Sequence, residues 1–160
     1  LALRGAEVFL HSTSEVGSPS LTPKATAKRA RAFENMAYVV SANTAGIVDV
    51  DIPAHSTDGM SKIVDDQGRV MVEAGDGESM VAFAEIDIQA LRRRRERPGM
   101  GNILSRLPKD AIAKGLAPAP LQPNALLAAG QVRVPERAEF AQRQRATIDA
   151  LKTAGILGND

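Results

Sequence analysis

The stretch that most constrains this chain is residues 29–47, RARAFENMAYVVSANTAGI, followed after a loop by residues 59–75, GMSKIVDDQGRVMVEAG. A basic helix with Glu34-Asn35 near its end runs straight into a strand, and a long loop then leads to a tight hairpin. Thr22-Pro23 marks the helix start: threonine caps free amides and proline suits the first helical position. The helix is expected to run to about Met36. Its apolar face is read as Ala30, Phe33 and Ala37, with Lys24, Lys28 and Arg31 largely off it. Residues 38–42 are β-branched and aromatic enough for a buried strand. Residues 44–58, holding Gly46 and Pro53, form a connection of the length that usually carries function or mobility.

On either side the pattern is simpler. Residues 1–6 read as the last turn of a helix stopping at Gly5, and residues 7–11 as a short strand centred on Val8, Phe9 and Leu10. Residues 12–20 are a polar loop. Residues 60–65 and 69–74 form a hairpin about Asp66-Gln67-Gly68, where Gly68 takes the left-handed conformation that closes a three-residue turn. Residues 79–88 are expected to be a further strand with Met80, Ala82, Ala84, Ile86 and Ile88 on one face. Residues 89–97 are read as a short helix stopped by Pro98. Six of the nine prolines lie at or after Pro98. Pro118, Pro120 and Pro123 punctuate an irregular arm, after which residues 137–153 regain helical periodicity with Phe140, Ile148 and Leu151 as anchors. Helix, strand, loop, hairpin and strand do not amount to a self-contained α/β core.

Four motifs in this order, LALRGAEV, RARAFENMAYVVSAN, GMSKIVDDQGRV and AEIDIQALRR, resemble the second half of the nitrilase superfamily of carbon–nitrogen hydrolases. The resemblance covers residues 1–107. It implies an α/β fold, roughly half of a four-layer α-β-β-α sandwich, with residues 108–160 left as a proline-rich arm and a terminal helix. It also implies hydrolysis of non-peptide amide or carbamoyl C–N bonds through a cysteine thioester, with nitrile hydrolysis as the alternative. Such chemistry needs an activated thiolate, a carboxylate base and a lysine to stabilise developing charge. The chain contains no cysteine. In the family these residues precede the position of Leu1, so no residue here is assigned a catalytic role. The start at Leu1, in the final turn of a helix, also suggests a carboxyl-terminal piece that is inactive alone; a truncated, non-catalytic interaction subunit is the other reading.

What the resemblance leaves to these residues is pocket wall. His11, Ser12 and Thr13 follow the strand after the presumed nucleophile helix, and Asn43 ends the next strand at the same sheet edge. Their imidazole, hydroxyl and amide groups could orient an acyl group or a leaving amine. The alternative is that His11 and Asn43 satisfy loop backbone amides. Glu34 is expected to pair with Arg31 or cap the helix junction, Asp65 and Asp66 to serve the turn, and His55 to be an exposed loop residue.

The run Arg92–Arg95 with Arg97 is the strongest charge signal, yet consecutive arginines on a helix point in different directions and form no single basic face. With one tyrosine, four phenylalanines and no tryptophan, base-stacking partners are scarce. A net charge of +1 gives no long-range field for nucleic acid or a membrane, and no apolar run reaches the ~20 residues that span a bilayer. The expected partners are a small-molecule amide, carbamoyl or nitrile substrate and further copies of the chain, in the cytoplasm, with no cofactor and no metal. The helix of residues 22–36 and the region 92–107 are expected to make the subunit contact, with Arg31 and Arg95 both at the surface.

Overall fold

The computed structural model describes residues 1–15, 22–57, 59–76, 79–116 and 127–157. It divides into two compact units, Leu1–Leu107 and Pro108–Asp160.

The first unit is a mixed α/β layer. A single 3-10 turn, Ala2–Arg4, ends at Gly5 in the left-handed conformation (φ 90°), where glycine meets no Cβ penalty. Strand β1 is Val8–Thr13, helix α1 is Pro23–Glu34 and strand β2 is Tyr38–Asn43. The strands β1 and β2 pair in parallel, with Val8 opposite Tyr38 and Thr13 opposite Asn43, the geometry a helical crossover permits. Strands β3 (Lys62–Val64) and β4 (Val70–Glu73) complete a four-stranded sheet in the order β1-β2-β3-β4, with both later pairings antiparallel.

Local chemistry explains these elements. Thr22 caps α1 by accepting a hydrogen bond from the Ala25 amide at 3.1 Å, with proline next in sequence. At the helix end, the Asn35 amide side chain returns to the Arg31 carbonyl. The hairpin turn is an aspartate turn: Asp65 Oδ1 accepts from the amides of Gln67 and Arg69, both at 2.9 Å. Gly68, at φ 77°, lies so close to the Arg29 carbonyl that a Cβ would sit 3.0 Å from it. The turn therefore packs against α1, and Arg29 Nε donates to the Gly68 carbonyl.

The face of α1 that meets the sheet is not the expected one. Ala25, Lys28 and Ala32 are buried, and Met36 continues the stripe just beyond the helix. Ala30 is exposed and Phe33 is half exposed; of the predicted face only Ala37 is buried. Spacings of three and four residues link 25, 28, 32 and 36, so a lysine occupies one position of the buried stripe. Its presence hid that stripe from an apolar reading. Ala32 packs with Val39, Val64 and Phe9 to form the small core.

Residues 80–87 carry no regular secondary structure, contrary to the expected strand. Exposure nevertheless alternates there: Ala82, Ala84, Ile86 and Ile88 are half-buried, while Val81 and Phe83 are exposed. The period-two pattern is present without a ladder partner among the described residues. Helix α2, Ile88–Glu96, begins at an Asp87 cap that accepts from the Ala90 amide at 2.7 Å. Leu91 is fully buried.

The arginine run of α2 is a set of clamps. Arg92 forms a two-point ion pair with Glu7, at 2.7 and 2.9 Å. Arg94 holds the buried Asp66 carboxylate from both nitrogens, so Asp66 does more than serve the turn. Arg95 is no free surface residue: it donates to the carbonyls of Ala6, Asn35 and Met36. Those carbonyls lie where the chain leaves α1 and where it enters β1, which makes Arg95 a tie between the two junctions.

In the second unit, helix α3 (Lys109–Leu116), a two-residue hairpin of β5 (Leu127–Ala128) and β6 (Gln131–Val132), and helix α4 (Arg137–Thr153) follow one another. Helix α4 has the predicted limits but buries none of its residues; Phe140 and Ile148 are exposed and Leu151 half-buried. Helix α3 was unexpected, and the proline arm at residues 118–123 lies outside the described residues. Glu139 is held by Arg143 at 2.6 Å and by Arg133.

Candidate active-site edge

Because β1 and β2 run in parallel, their carboxyl ends, Thr13 and Asn43, lie side by side. In α/β sheets this edge is where ligands are bound. Beyond it the chain is tied into a polar cluster. The Glu15 amide donates to Asn43 Oδ1 at 2.7 Å, and Asn43 Nδ2 returns to the Glu15 carbonyl at 3.5 Å. The Thr44 hydroxyl donates to Ser14 Oγ at 3.1 Å. The Asn43 amide donates to Ser61 Oγ at 3.0 Å, linking the edge to the start of the hairpin.

Glu15 is 7% exposed and forms a 2.9 Å ion pair with Lys28, which is equally buried. Burial alone raises the Glu15 pKa. The Lys28 hydrogen bond and charge, aided by Thr13 and Lys24, overcome that and hold it below the ordinary carboxylate value. Glu15 is thus an anion. Its Oε2 is engaged by Lys28, while its Oε1 has no hydrogen-bond partner among the described residues.

A second polar feature crosses the sheet. Pairing places His11 beside Ser41, Ser41 beside Lys62 and Lys62 beside Glu73. His11 Nδ1 lies 3.1 Å from Ser41 Oγ, and Lys62 forms an ion pair with Glu73. This row lies one step toward the carboxyl edge from the apolar row Phe9, Val39 and Val64.

A groove of ≈ 770 Å³ opens beside β1 and α1, lined among others by His11, Thr13, Glu15, Lys24, Lys28 and Arg31. The structure therefore brings His11 and Thr13 together. Ser12 lies between them in sequence and on the opposite face of the strand. Asn43 is committed to positioning Glu15. His55 is exposed, and Glu34 pairs with Arg31 at 2.9 Å as expected. Sequence reasoning missed Glu15, Lys28 and Ser41. The signal that could have found Lys28 was its place in the 25-28-32-36 stripe, since a lysine there must be paired. Among the described residues, no group of three or more His, Cys, Asp or Glu could hold a metal ion, and no helix is long and apolar enough to cross a membrane.

The fold and its edge define a class: mixed α/β proteins that gather polar groups at the carboxyl ends of parallel strands. The carbon-nitrogen hydrolase family model matches residues 1–96, and the chain belongs to that family. Among solved structures, the NitFhit protein of C. elegans is 31% identical with a TM-score of 0.56, over 69% of this chain and 25% of that one. A carbon-nitrogen hydrolase from Helicobacter pylori G27 has the same TM-score at 23% identity, over 72% of this chain and 43% of that one; that likeness concerns the fold. Saccharomyces cerevisiae Nit3, described as a member of branch 10 of the nitrilase superfamily, is 25% identical with a TM-score of 0.50, over 59% of this chain and 34% of that one. The chain thus spans less than half the length of each of these structures. A search among curated proteins returned no match. The four-stranded sheet with its helices is part of a nitrilase-type α-β-β-α fold.

Proposed function

We propose that these residues form the carboxyl-terminal part of a hydrolase that cleaves non-peptide amide or carbamoyl C–N bonds. Residues 1–107 supply half of the hydrolase domain and residues 108–160 an appended arm. A cysteine thiolate from outside these residues attacks the carbonyl carbon. The C–N bond breaks, the amine leaves with a proton, and water then hydrolyses the thioester to the acid, returning the thiol. The observation that carries this reading is the polar carboxyl edge, with His11, Thr13, Glu15 and Lys28 around one groove, in a chain of the carbon-nitrogen hydrolase family.

The chain has no cysteine, so the 160 residues alone are expected to show no amide or nitrile hydrolysis. A longer protein that adds the nucleophile should turn over short amides or ureas and lose activity when that cysteine is replaced by alanine. Turnover by the 160 residues that survives purification to homogeneity and responds to substitutions among them would overturn this assignment.

A further inference from the structure

We infer that Glu15 is a substrate-binding residue of this site, its free carboxylate oxygen accepting a hydrogen bond from an N–H of the amide or carbamoyl substrate. This rests on the hydrolase reading above and adds a residue and a recognition rule to it.

Three observations converge. First, Glu15 is rigidly placed: the Asn43 amide group holds its backbone on both sides, and Lys28 holds Oε2 at 2.9 Å. Second, Glu15 is one of the residues around the groove at the carboxyl edge, together with His11 and Thr13. Third, Oε1 is shielded from solvent and has no partner among the described residues. A buried acceptor on an ionised group is costly to leave unsatisfied, more so than one on a neutral group. Its natural complement is a donor that arrives with the ligand.

Charge decides which donor. Lys28 already neutralises Glu15, and Lys24 and Arg31 line the same groove. A cationic ligand would add a further positive charge to three existing ones. A neutral N–H, as in a carboxamide or a urea, satisfies Oε1 without that repulsion. His11, fixed through Nδ1 by Ser41, faces the same groove and leaves its other ring nitrogen available to the acyl side.

The test uses the full-length hydrolase with pairs of substrates that exchange one N–H for an oxygen: N-methylpropionamide against methyl propionate, and ethylurea against ethyl carbamate. Glu15→Ala should lower the ratio of kcat/KM for the nitrogen compound over its oxygen counterpart by roughly ten- to a hundredfold, the worth of a hydrogen bond to a charged group. Glu15→Gln keeps the volume and a weaker acceptor and should lower the ratio by less. Both variants leave the buried Lys28 without its anion and lose stability. That loss cancels in the ratio, because both members of a pair are turned over by the same folded fraction. Equal losses for both members of each pair, or an unchanged ratio, would show that Oε1 serves a protein donor and would overturn the inference while leaving the hydrolase reading intact. If the full-length protein turns over none of the four compounds nor any other short amide, urea or nitrile, the hydrolase reading falls and this inference falls with it.

Discussion

The two faces of the four-stranded sheet have different fates within the same chain. On the α1 side, Phe9, Val39 and Val64 meet Ala32, and Val39 and Val64 are essentially out of solvent. On the other side, the pairing sets Val8 beside Tyr38 and Leu10 beside Val40, with Ile63 beyond. Tyr38 is buried there, its hydroxyl within 3.3 Å of the Asp87 amide, but Leu10 is 82% exposed. Both faces are apolar in sequence, and only one is closed by these residues. The bare face is what a second sheet covers in the four-layer sandwich that the family resemblance implies. The covered face is the less apolar of the two, because the row just inside its carboxyl edge is His11, Ser41, Lys62 and Glu73.

That polar row is where the comparison breaks most sharply. Lys28→Met keeps the length of the side chain and removes the charge that faces Glu15. Breaking a buried pair from one side costs about 3–5 kcal/mol, since the remaining charge is left uncompensated. The cost should appear as a lowered midpoint in urea unfolding at pH 7. Its pH dependence has a definite sign. The folded-state pKa of Glu15 is depressed below the ordinary 4.5, so the pair's contribution is complete above that value and is lost as pH falls through the folded pKa. In the Met variant burial is opposed only by Thr13 and Lys24, and the balance moves toward the protonated acid. The gap between wild type and variant should therefore narrow from pH 7 toward pH 3. A gap that is small at pH 7, or one that widens in acid, would show that Glu15 and Lys28 are not a coupled pair in the folded protein.

The bare face gives the next largest effect, and it depends on context. In the 160 residues alone Leu10→Ser should change stability by no more than about 0.5 kcal/mol, as expected for an exposed site. It should also reduce self-association, because β1 is an edge strand carrying an exposed apolar side chain. In the full-length hydrolase the same substitution should cost about 2–5 kcal/mol, the range for truncating a core leucine. Equal small costs in both settings would mean that no second layer covers this face.

Much of the architecture was legible because its signals are local. Thr22-Pro23, Asp65 with Gly68, and Pro98 each mark an element boundary by their own backbone chemistry, and the structure uses all of them. What failed was reading the face of α1. The apolar residues Ala30 and Phe33 suggest one face by helical periodicity, whereas packing on the sheet selects a stripe that includes Lys28. A lysine becomes a buried residue only when its partner is known, and Glu15 lies across a loop, beyond any local window. The segment 79–88 failed for the opposite reason. Its alternation was read correctly, but a strand also needs a neighbour, and neighbours are not written in a segment's own sequence. The arginine run of α2 reads in sequence only as lacking a single basic face, with Arg95 at the surface, whereas three of its arginines are committed to Glu7, Asp66 and backbone carbonyls.

The smallest effect on stability concerns the outward side of α1, where the sequence reading expects a subunit contact. Arg31 is 72% exposed and pairs with Glu34 one helical turn on, a contact worth about 0.2–0.5 kcal/mol. Arg31→Glu places like charges at that spacing and should cost the fold a similar amount, leaving the circular dichroism unchanged. Arg95 is unsuitable for the same purpose, because reversing it would strip the Ala6, Asn35 and Met36 carbonyls of a donor. The outward side of α1 also shows Ala30 and the half-exposed ring of Phe33, small and apolar groups that let another helix approach. If copies of the full-length protein meet there, Arg31→Glu should shift sedimentation toward smaller species at equal concentration, since a charge reversed inside an interface is repelled by what it formerly attracted. An unchanged oligomer would place the contact elsewhere and leave Arg31 as a solvated partner of Glu34.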